Sequence, residues 1–443
     1  MYACLGRVAG LTFKAAVRRR PHVLRAVATD ADLEKALQAK SPFLREFAAR
    51  GYLAQCTDIE GLDEKLTTGK VSAYLGFDAT ADSLHVGSLL QIMILRLLQK
   101  HGHRPVVLVG GGTTKVGDPS GKDESRQLLD EATIQANIDG ISSVFDKFIE
   151  FGTDKAILVN NADWLLDLRY IDFLRDIGKH FSVNKMLTAE SVKQRLETGL
   201  SFLEFNYMLL QSYDFYALAR DYQCEFQFGG QDQWGNIIHG VDLTRRMLSQ
   251  TVYGATFPLV TDSNGQKFGK SAGNAVWLDP ERTSVYDFYQ FWRNVNDPDV
   301  TKLMGFFTTL PMDEVNRLGS LPSPEINRAK EILAYEATAL AHGEKAAAGA
   351  YVAAITQHGM ADPDGKIPTS SKVAKLGLKD VNESLPTHEV AASELEEGIW
   401  IVGLLTASGL APSNREARNR VSGGGVYLND ERVQSIDYQV STK

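Results

Sequence analysis

The stretch YLGFDATADSLHVGS, Tyr74–Ser88, decides the fold. It opens inside a strand, since VSAYL (71–75) is apolar, aromatic and β-branched. It closes into a helix, since SLLQIMILRLLQKH (88–101) carries apolar residues at helical spacing. Glycine and turn residues lie between. A strand that turns into a helix this way delivers Tyr74 and Asp78 from the strand, and His85 and Gly87 to the helix start. A helix N-terminus presents free backbone amides and the positive end of its dipole, which suits a phosphate. Gly87 lets a planar base or a phosphate approach the backbone closely, and His85 can donate to a phosphate oxygen. Read alone, the same residues equally fit a plain strand–turn–helix with a capping serine and an incidental histidine.

Outward from this unit the pattern repeats. PVVLV (105–109) is a second strand, followed by GGGTT; KAILVNNADW holds a third at 155–159; CEFQF (224–228) is another, followed by GGQDQWGN and a helical run. Strands alternating with helices, with glycine loops after the strands, indicate an α/β fold with a parallel, doubly wound, Rossmann-like sheet. Ligands in such sheets bind beyond the carboxyl ends of the strands, which places the glycine-rich loops at the site.

The organisation changes along the chain. Residues 1–29 hold Arg7, Lys14, Arg18, Arg19, Arg20 and Arg25 and no acidic residue before Asp30. An acid-free, Arg-rich, amphipathic start reads as an organelle-targeting presequence. Residues 30–282 form the catalytic nucleotide-binding domain. From 283 to 360 the pattern is helical, with YDFYQFWRNV, TKLMGFF and one long run from Pro324 to Tyr351. Residues 361–390 are rich in Pro, Ser, Asp and Gly and read as a linker. Residues 391–443 form a small α+β tail. All the chemical segments precede Arg282, so a fragment ending there is expected to keep its first chemical step.

Composition sets bounds on these readings. The chain has 443 residues, 44% hydrophobic and 23% charged, with net charge −8; this argues against a surface coated in basic residues but permits a local basic patch. Cys4, Cys56 and Cys224 form no CxxC pair, so no zinc knuckle, redox motif or disulfide framework is offered, and a reducing compartment fits. No apolar run has the length needed to span a bilayer.

Further segments carry chemistry. KFGKS, Lys267–Ser271, sets two lysines three apart around glycine, either a cationic clamp or a solvated turn. GDPSGKDESR (117–126) supplies Asp118, Lys122 and Arg126. NYMLLQSYD (206–214) is helical and puts Tyr207, Gln211 and Asp214 at i, i+4 and i+7, on one face. GGQDQWGN (229–236) follows a strand and holds Asp232 and Gln233. Together and in this order, HVGS and KFGKS resemble the two signatures of class I aminoacyl-tRNA synthetases. The five segments resemble those of bacterial-type tyrosyl-tRNA synthetases in an organellar form, over roughly residues 40–443.

The resemblance implies a tyrosine–tRNA ligase. Tyr74 and Asp214 would meet the phenolic hydroxyl of tyrosine. Asp118, Tyr207 and Gln211 would bind its ammonium group, and Gln233 its carboxyl end. Gly76, Asp78, Gly87, Ser88, Asp232 and Ser271 would line the nucleotide side. His85, Lys122, Arg126, Lys267 and Lys270 would surround the triphosphate of ATP. Magnesium would arrive with ATP, without a dedicated protein metal site. Ser88 stands where the family signature has a second histidine, which implies a reduced or redistributed contact. The tail, SGLAPSNREARNRVSGGGVYLNDERV (408–433), resembles an S4-type RNA-binding unit with Arg415, Arg418 and Arg420 on one helix. It stops short of the usual final strand pair, which reads as a shortened form.

The implied partners are tRNA(Tyr), tyrosine, ATP and a second copy of the chain, with no membrane. The implied compartment is the mitochondrial matrix, with the plastid stroma as the alternative. The apolar segment WLLDLRYIDFL, Trp164–Leu174, fits either core or interface, with core preferred. A tryptophanyl enzyme shares fold and signatures, but indole offers no hydroxyl for the Tyr74–Asp214 pair. A splicing factor built on a retired synthetase would not need the retained Asp78, Asp118, Lys122, Asp214, Lys267 and Lys270.

Overall fold

In the computed structural model a six-stranded sheet occupies the centre of the catalytic region. The description covers residues 30–120, 129–263, 265, 268–271, 274–376, 388–429 and 431–441, with Thr198, Lys270, Ser271 and Asn274 by backbone alone. The presequence reading and the expectations for Lys122, Arg126 and Lys267 therefore lie outside the described residues. The strands are β1 (Gln55–Cys56), β2 (Ser72–Phe77), β3 (Arg104–Val109), β4 (Ile157–Asn160), β5 (Cys224–Gly230) and β6 (Tyr253–Phe257).

Their order is β1-β6-β5-β2-β3-β4, parallel throughout except β1, which pairs antiparallel to β6 at one edge. From β2 the chain winds outward through β3 to β4; from β5 it winds the other way to β6. The direction of winding reverses between β2 and β5, which is where a crevice opens in such a sheet. The pairing itself shows the opening: β2 and β5 stay in register only as far as Tyr74↔Gln227, yet β2 continues to Phe77 and β5 to Gly230.

Three helices set the walls of this crevice. Val86–Lys100 buries Leu89, Leu90, Ile92, Ile94 and Leu95 beneath the sheet. It begins two residues before the apolar run suggests, because His85 caps it: the ring Nδ1 accepts from the Gly87 amide at 2.9 Å. Phe202–Tyr222 starts at a reciprocal cap, where Ser201 Oγ accepts from the Glu204 amide and Glu204 accepts from the Ser201 amide. The same Glu204 is buried against Arg195 at 2.8 Å, which fixes the helix start. The helix ends at Gln223 in the left-handed region and packs along Trp234–Leu248, the helix after β5.

Beyond residue 283 the fold is helical, with Val285–Arg293, Val300–Phe307, Met312–Gly319, Ile326–His342 and Glu344–His358. The run read as one helix from 324 to 351 is two, broken at Gly343, whose φ of +88° interrupts helical geometry. These helices share a core with the sheet region. Arg50 donates to the carbonyls of Gly305, Thr308 and Leu310, and Tyr52 Oη donates to Phe306 O at 2.7 Å. Phe268 sits among Phe291, Trp292 and Phe307. A cut at Arg282 would therefore open the core and not separate two independent units.

The first part of the segment read as a linker is docked on the helices. Ser370 and Thr369 donate to Glu314, Ser371 donates to Glu336, and Val373 is fully buried. The tail has its own small core of Ile401, Val402, Leu405, Ala417, Val421 and Val433. Arg415, Arg418 and Arg420 lie exposed on its helix Asn414–Ser422, with Arg418 over the Trp400 ring and Arg420 donating to Leu410 O.

Candidate active site

The crevice at the carboxyl ends of β2 and β5 collects most of the residues expected there. Its lining includes Tyr74, Gly76, Asp78, His85, Ser88, Asp118, Tyr207, Gln211, Asp214, Asp232 and Gln233. They arrive from β2, the loop after β3, the Phe202–Tyr222 helix and the turn after β5.

At the inner end, Tyr74 and Asp214 are both almost fully buried. The Tyr74 hydroxyl has no hydrogen-bond partner. An unpaired buried hydroxyl carries a desolvation cost that a bound polar group would relieve. Asp214 is held from both sides: Asn161 Nδ2 donates to one oxygen at 3.0 Å and Trp164 Nε1 to the other at 2.8 Å. Burial pushes the Asp214 carboxyl up to about 7, against the pull of those two donors, and the nearby Asp78 charge pushes the same way as burial. Burial also holds the Tyr74 phenol well above its ordinary range, so it stays protonated.

Asn161 ties this end to the next. Its Oδ1 accepts from the amides of Gly112 and Thr113, and its Nδ2 also donates to Thr113 Oγ1. Thr113 Oγ1 in turn donates to Asp78 Oδ1 at 2.8 Å, and the Tyr207 hydroxyl donates to the same carboxylate at 3.2 Å. Asp78, expected on the nucleotide side, is thus joined to Tyr207, a member of the ammonium group. The reason is its place just past the end of β2, where the loop after β3 and the Phe202–Tyr222 helix converge.

A second cluster closes the opposite wall. Gln233 Nε2 donates to Asp118 Oδ2 at 2.8 Å and to Asp232 Oδ2 at 3.3 Å. Asn236 Nδ2 donates to both Gln211 Oε1 and Gln233 Oε1, at 2.9 and 3.0 Å. Asp118 also accepts from the Ser120 amide, so the loop after β3 is pinned by its own carboxylate. Carboxylates that converge in one cleft favour a cationic group such as an ammonium.

The nucleotide side is built from backbone. Gly76 is exposed on the cleft, and a Cβ there would meet only Leu108, at 3.9 Å. At Gly87 a Cβ would fall 2.6 Å from the His85 ring, so only glycine permits the cap. The Gly87 N–H occupies Nδ1, which leaves Nε2 to carry the imidazole proton, the donor that a phosphate oxygen requires. Gly269, at the centre of KFGKS, has a φ of +101° and lies against the Gly87 amide. The two signature segments are thus in contact through their backbones, with Lys270–Ser271 continuing as a short strand paired to Asn274–Ala275.

Several members of the site had no assigned role in the sequence. Asn161 and Trp164 lie in KAILVNNADW, just beyond a strand, and that position was the available signal. Thr113 and Asn236 lie in glycine-rich loops. Their roles depend on which side chain faces which, and no spacing reveals that.

Comparison with known proteins agrees with this geometry. Residues 66–358 match a family model described as tRNA synthetases class I (W and Y), and residues 378–443 match one described as a tyrosine–tRNA ligase SYY-like C-terminal domain. The tyrosine–tRNA ligase of Desulfosudis oleivorans is 50% identical over 399 residues, covering 89% of this chain and 92% of the relative. Among solved structures, a C-terminally truncated mitochondrial tyrosyl-tRNA synthetase of Aspergillus nidulans aligns with a TM-score of 0.65 at 29% identity, covering 73% of this chain and 97% of that one. The corresponding Coccidioides posadasii protein gives 0.61 at 31%, covering 72% and 93%. With a buried phenol–carboxylate pair at the inner end of the cleft and both signatures at its mouth, the chain belongs to the class I tyrosyl-tRNA synthetases.

Proposed function

We infer that this chain ligates L-tyrosine to tRNA(Tyr) at the expense of ATP, and that the crevice between β2 and β5 holds both small substrates. The observation that carries the placement is the buried, partnerless Tyr74 hydroxyl beside a carboxylate already oriented by Asn161 and Trp164. A phenol entering there donates to Asp214 and accepts from Tyr74. Phenylalanine would leave both unpaired, a rejection for which tyrosine-specific synthetases are the standing example. The ammonium group then falls among Asp78, Asp118, Tyr207 and Gln211, and the carboxylate faces Gln233 and the nucleotide side. The adenosine end lies over Gly76, Gly87 and Asp232, with Ser88 and Ser271 near its phosphates and ribose.

The tyrosine carboxylate attacks the α-phosphorus of ATP, the bond to the β-phosphate oxygen breaks, and tyrosyl-adenylate and pyrophosphate form. The nucleophile is already ionised, so positioning and cationic stabilisation carry the step. His85, Lys122, Arg126, Lys267 and Lys270 are the donors proposed for the triphosphate. The tRNA 3′-terminal ribose then takes the tyrosyl group and releases AMP. Among the described residues no group of three or more His, Cys, Asp or Glu side chains is arranged to hold a metal ion, so magnesium is assigned to the phosphate oxygens of ATP. Exchange of labelled pyrophosphate into ATP, with tyrosine, tryptophan and phenylalanine compared, tests the assignment. Exchange driven by tryptophan or phenylalanine as well as by tyrosine would reject it.

The domain assignment carries the same reading: 30–282 for catalysis, 283–360 on the anticodon side, and an S4-like unit from 391 whose Arg415, Arg418 and Arg420 meet tRNA phosphates. A homodimer is supported by an exposed apolar surface beside β4. Leu166, Tyr170, Ile171, Val183 and Phe202 are each more than half exposed, whereas Phe173 between them is buried. The Trp164–Leu174 segment thus faces solvent for much of its length, where the sequence favoured core. Patches of this kind mark association surfaces. The mitochondrial matrix is the proposed compartment, on the acid-free, Arg-rich residues 1–29. No helix among the described residues is long and apolar enough to cross a membrane.

A further inference from the structure

Trp277 lies after the second signature and has no part in the assignments above. It lines the cleft beside His85. Its backbone is locked to the first signature: the Val86 amide donates to Val276 O at 2.8 Å and the Leu278 amide to Leu84 O at 2.9 Å, so His85 and Trp277 face each other as an antiparallel bridge. The Trp277 amide donates to Thr283 Oγ1 at 3.0 Å, which fixes the strand from its other edge. The Val276 amide donates to Gly269 O, which carries the connection on to KFGKS.

The side chain is held as firmly as the backbone. The Arg282 guanidinium lies over the indole at 3.6 Å from its centroid, and Arg282 is itself paired with Asp82, three residues before His85. The indole meets the His85 ring edge to face, with centroids 6.1 Å apart and planes at 73°. His85 has one ring nitrogen committed to the Gly87 amide. That bond fixes the ring at one point, and rotation about it would still swing Nε2. The indole face removes that freedom.

We propose that Trp277, backed by Arg282, is a positioning residue for His85 and sets the direction in which Nε2 donates to the triphosphate. The inference rests on the triphosphate role of His85 given above. An exposed ion pair such as Arg282–Asp82 contributes little alone. Its value here is to hold the guanidinium over the indole, where cation–π and edge-to-face contacts each contribute at the scale of a few-fold in an equilibrium.

The test is a double-mutant cycle read by single-turnover tyrosyl-adenylate formation in the full-length enzyme, with thermal melting as a check on folding. Trp277→Ala is expected to slow the step roughly tenfold and leave the tyrosine Kd within about twofold, with Trp277→Phe close to the parent. In a His85→Asn background Trp277→Ala should add less than about a twofold loss, because the group it positions is gone. Arg282→Gln in the same two backgrounds gives the same reading if Trp277→Ala fails to fold. A full loss from Trp277→Ala in both backgrounds would mean that Trp277 acts by itself on the nucleotide, and would overturn the inference alone. A parental rate in Trp277→Ala would also overturn it. A parental rate in His85→Asn would overturn the role of His85 and this inference with it.

Discussion

Trp164→Phe isolates one hydrogen bond in the proposed tyrosine pocket. The substitution keeps an aromatic ring and removes only the indole N–H, which donates to Asp214 Oδ1 at 2.8 Å. A hydrogen bond to a charged group is worth roughly 1.5–3 kcal/mol, so its loss should raise the Asp214 pKa by about one to two. Burial already puts that carboxyl at about 7, with Asn161 and Trp164 pulling it down. The ionised carboxylate is the stronger acceptor for the substrate phenol, so tyrosine affinity in the parent should rise with pH through about 7. In the variant the midpoint should move to roughly pH 8–9, and near neutral pH the tyrosine Kd should rise about three- to tenfold. Stability runs the other way. The folded pKa lies above the ordinary value of 3.8, so the stabilising effect of the protonated carboxyl is complete below about 4 and is lost as pH rises through about 7. The variant should retain that contribution to higher pH. Equilibrium dialysis of tyrosine against pH, alongside thermal melts, reads both effects. An unmoved binding midpoint with an unchanged neutral-pH Kd would refute the role given to Trp164 and the ionisation given to Asp214.

Four further outcomes are expected. Tyr74→Phe removes a hydroxyl with no partner in the empty protein, so the Tm should hold or rise while the tyrosine Kd increases roughly tenfold; a lowered Tm with unchanged tyrosine binding would contradict this. Lys267→Ala and Lys270→Ala, each alone, should slow adenylate formation with little change in tyrosine affinity, since charge on departing pyrophosphate develops only in the transition state; parental single-turnover rates would rule the role out. Ile171→Glu, at a site 70% exposed, should convert a dimer to a monomer by light scattering without lowering the Tm; an unchanged mass would count against that surface. Truncation after Arg282 should give an aggregating fragment, because Phe268 loses Phe291, Trp292 and Phe307, whereas truncation after Leu376 should preserve pyrophosphate exchange and lose tRNA charging; a soluble, active 1–282 fragment would show the two regions to be independent.

The parts of this molecule that sequence reveals are those with a period or a fixed local order. The strand–turn–helix at 71–101 shows itself because a buried parallel strand is continuously apolar and a helix start needs a cap. Tyr207, Gln211 and Asp214 fall on one side because helical geometry puts them there, and that face does line the cleft. Contacts across the fold have no such period. Asn161 and Trp164 reach Asp214 over about fifty residues of chain, and Trp277 reaches His85 over nearly two hundred, so their partners appear only when β4 and the segment after KFGKS are laid beside β2. The 361–376 segment misled for a related reason. Its Ser, Thr and Asp residues are what a solvated linker would contain, but Thr369, Ser370 and Ser371 spend those groups on Glu314 and Glu336 of the helices beneath. Polarity alone cannot separate a chain that bonds to water from one that bonds to a neighbouring helix. The Trp164–Leu174 surface is the converse: apolar content suggests core, and only the packing shows that Phe173 turns inward while Leu166, Tyr170 and Ile171 turn out. Each residue that the sequence left unassigned acts through a neighbour, because a group that contacts substrate belongs to a local motif while the group that aims it can come from anywhere in the chain.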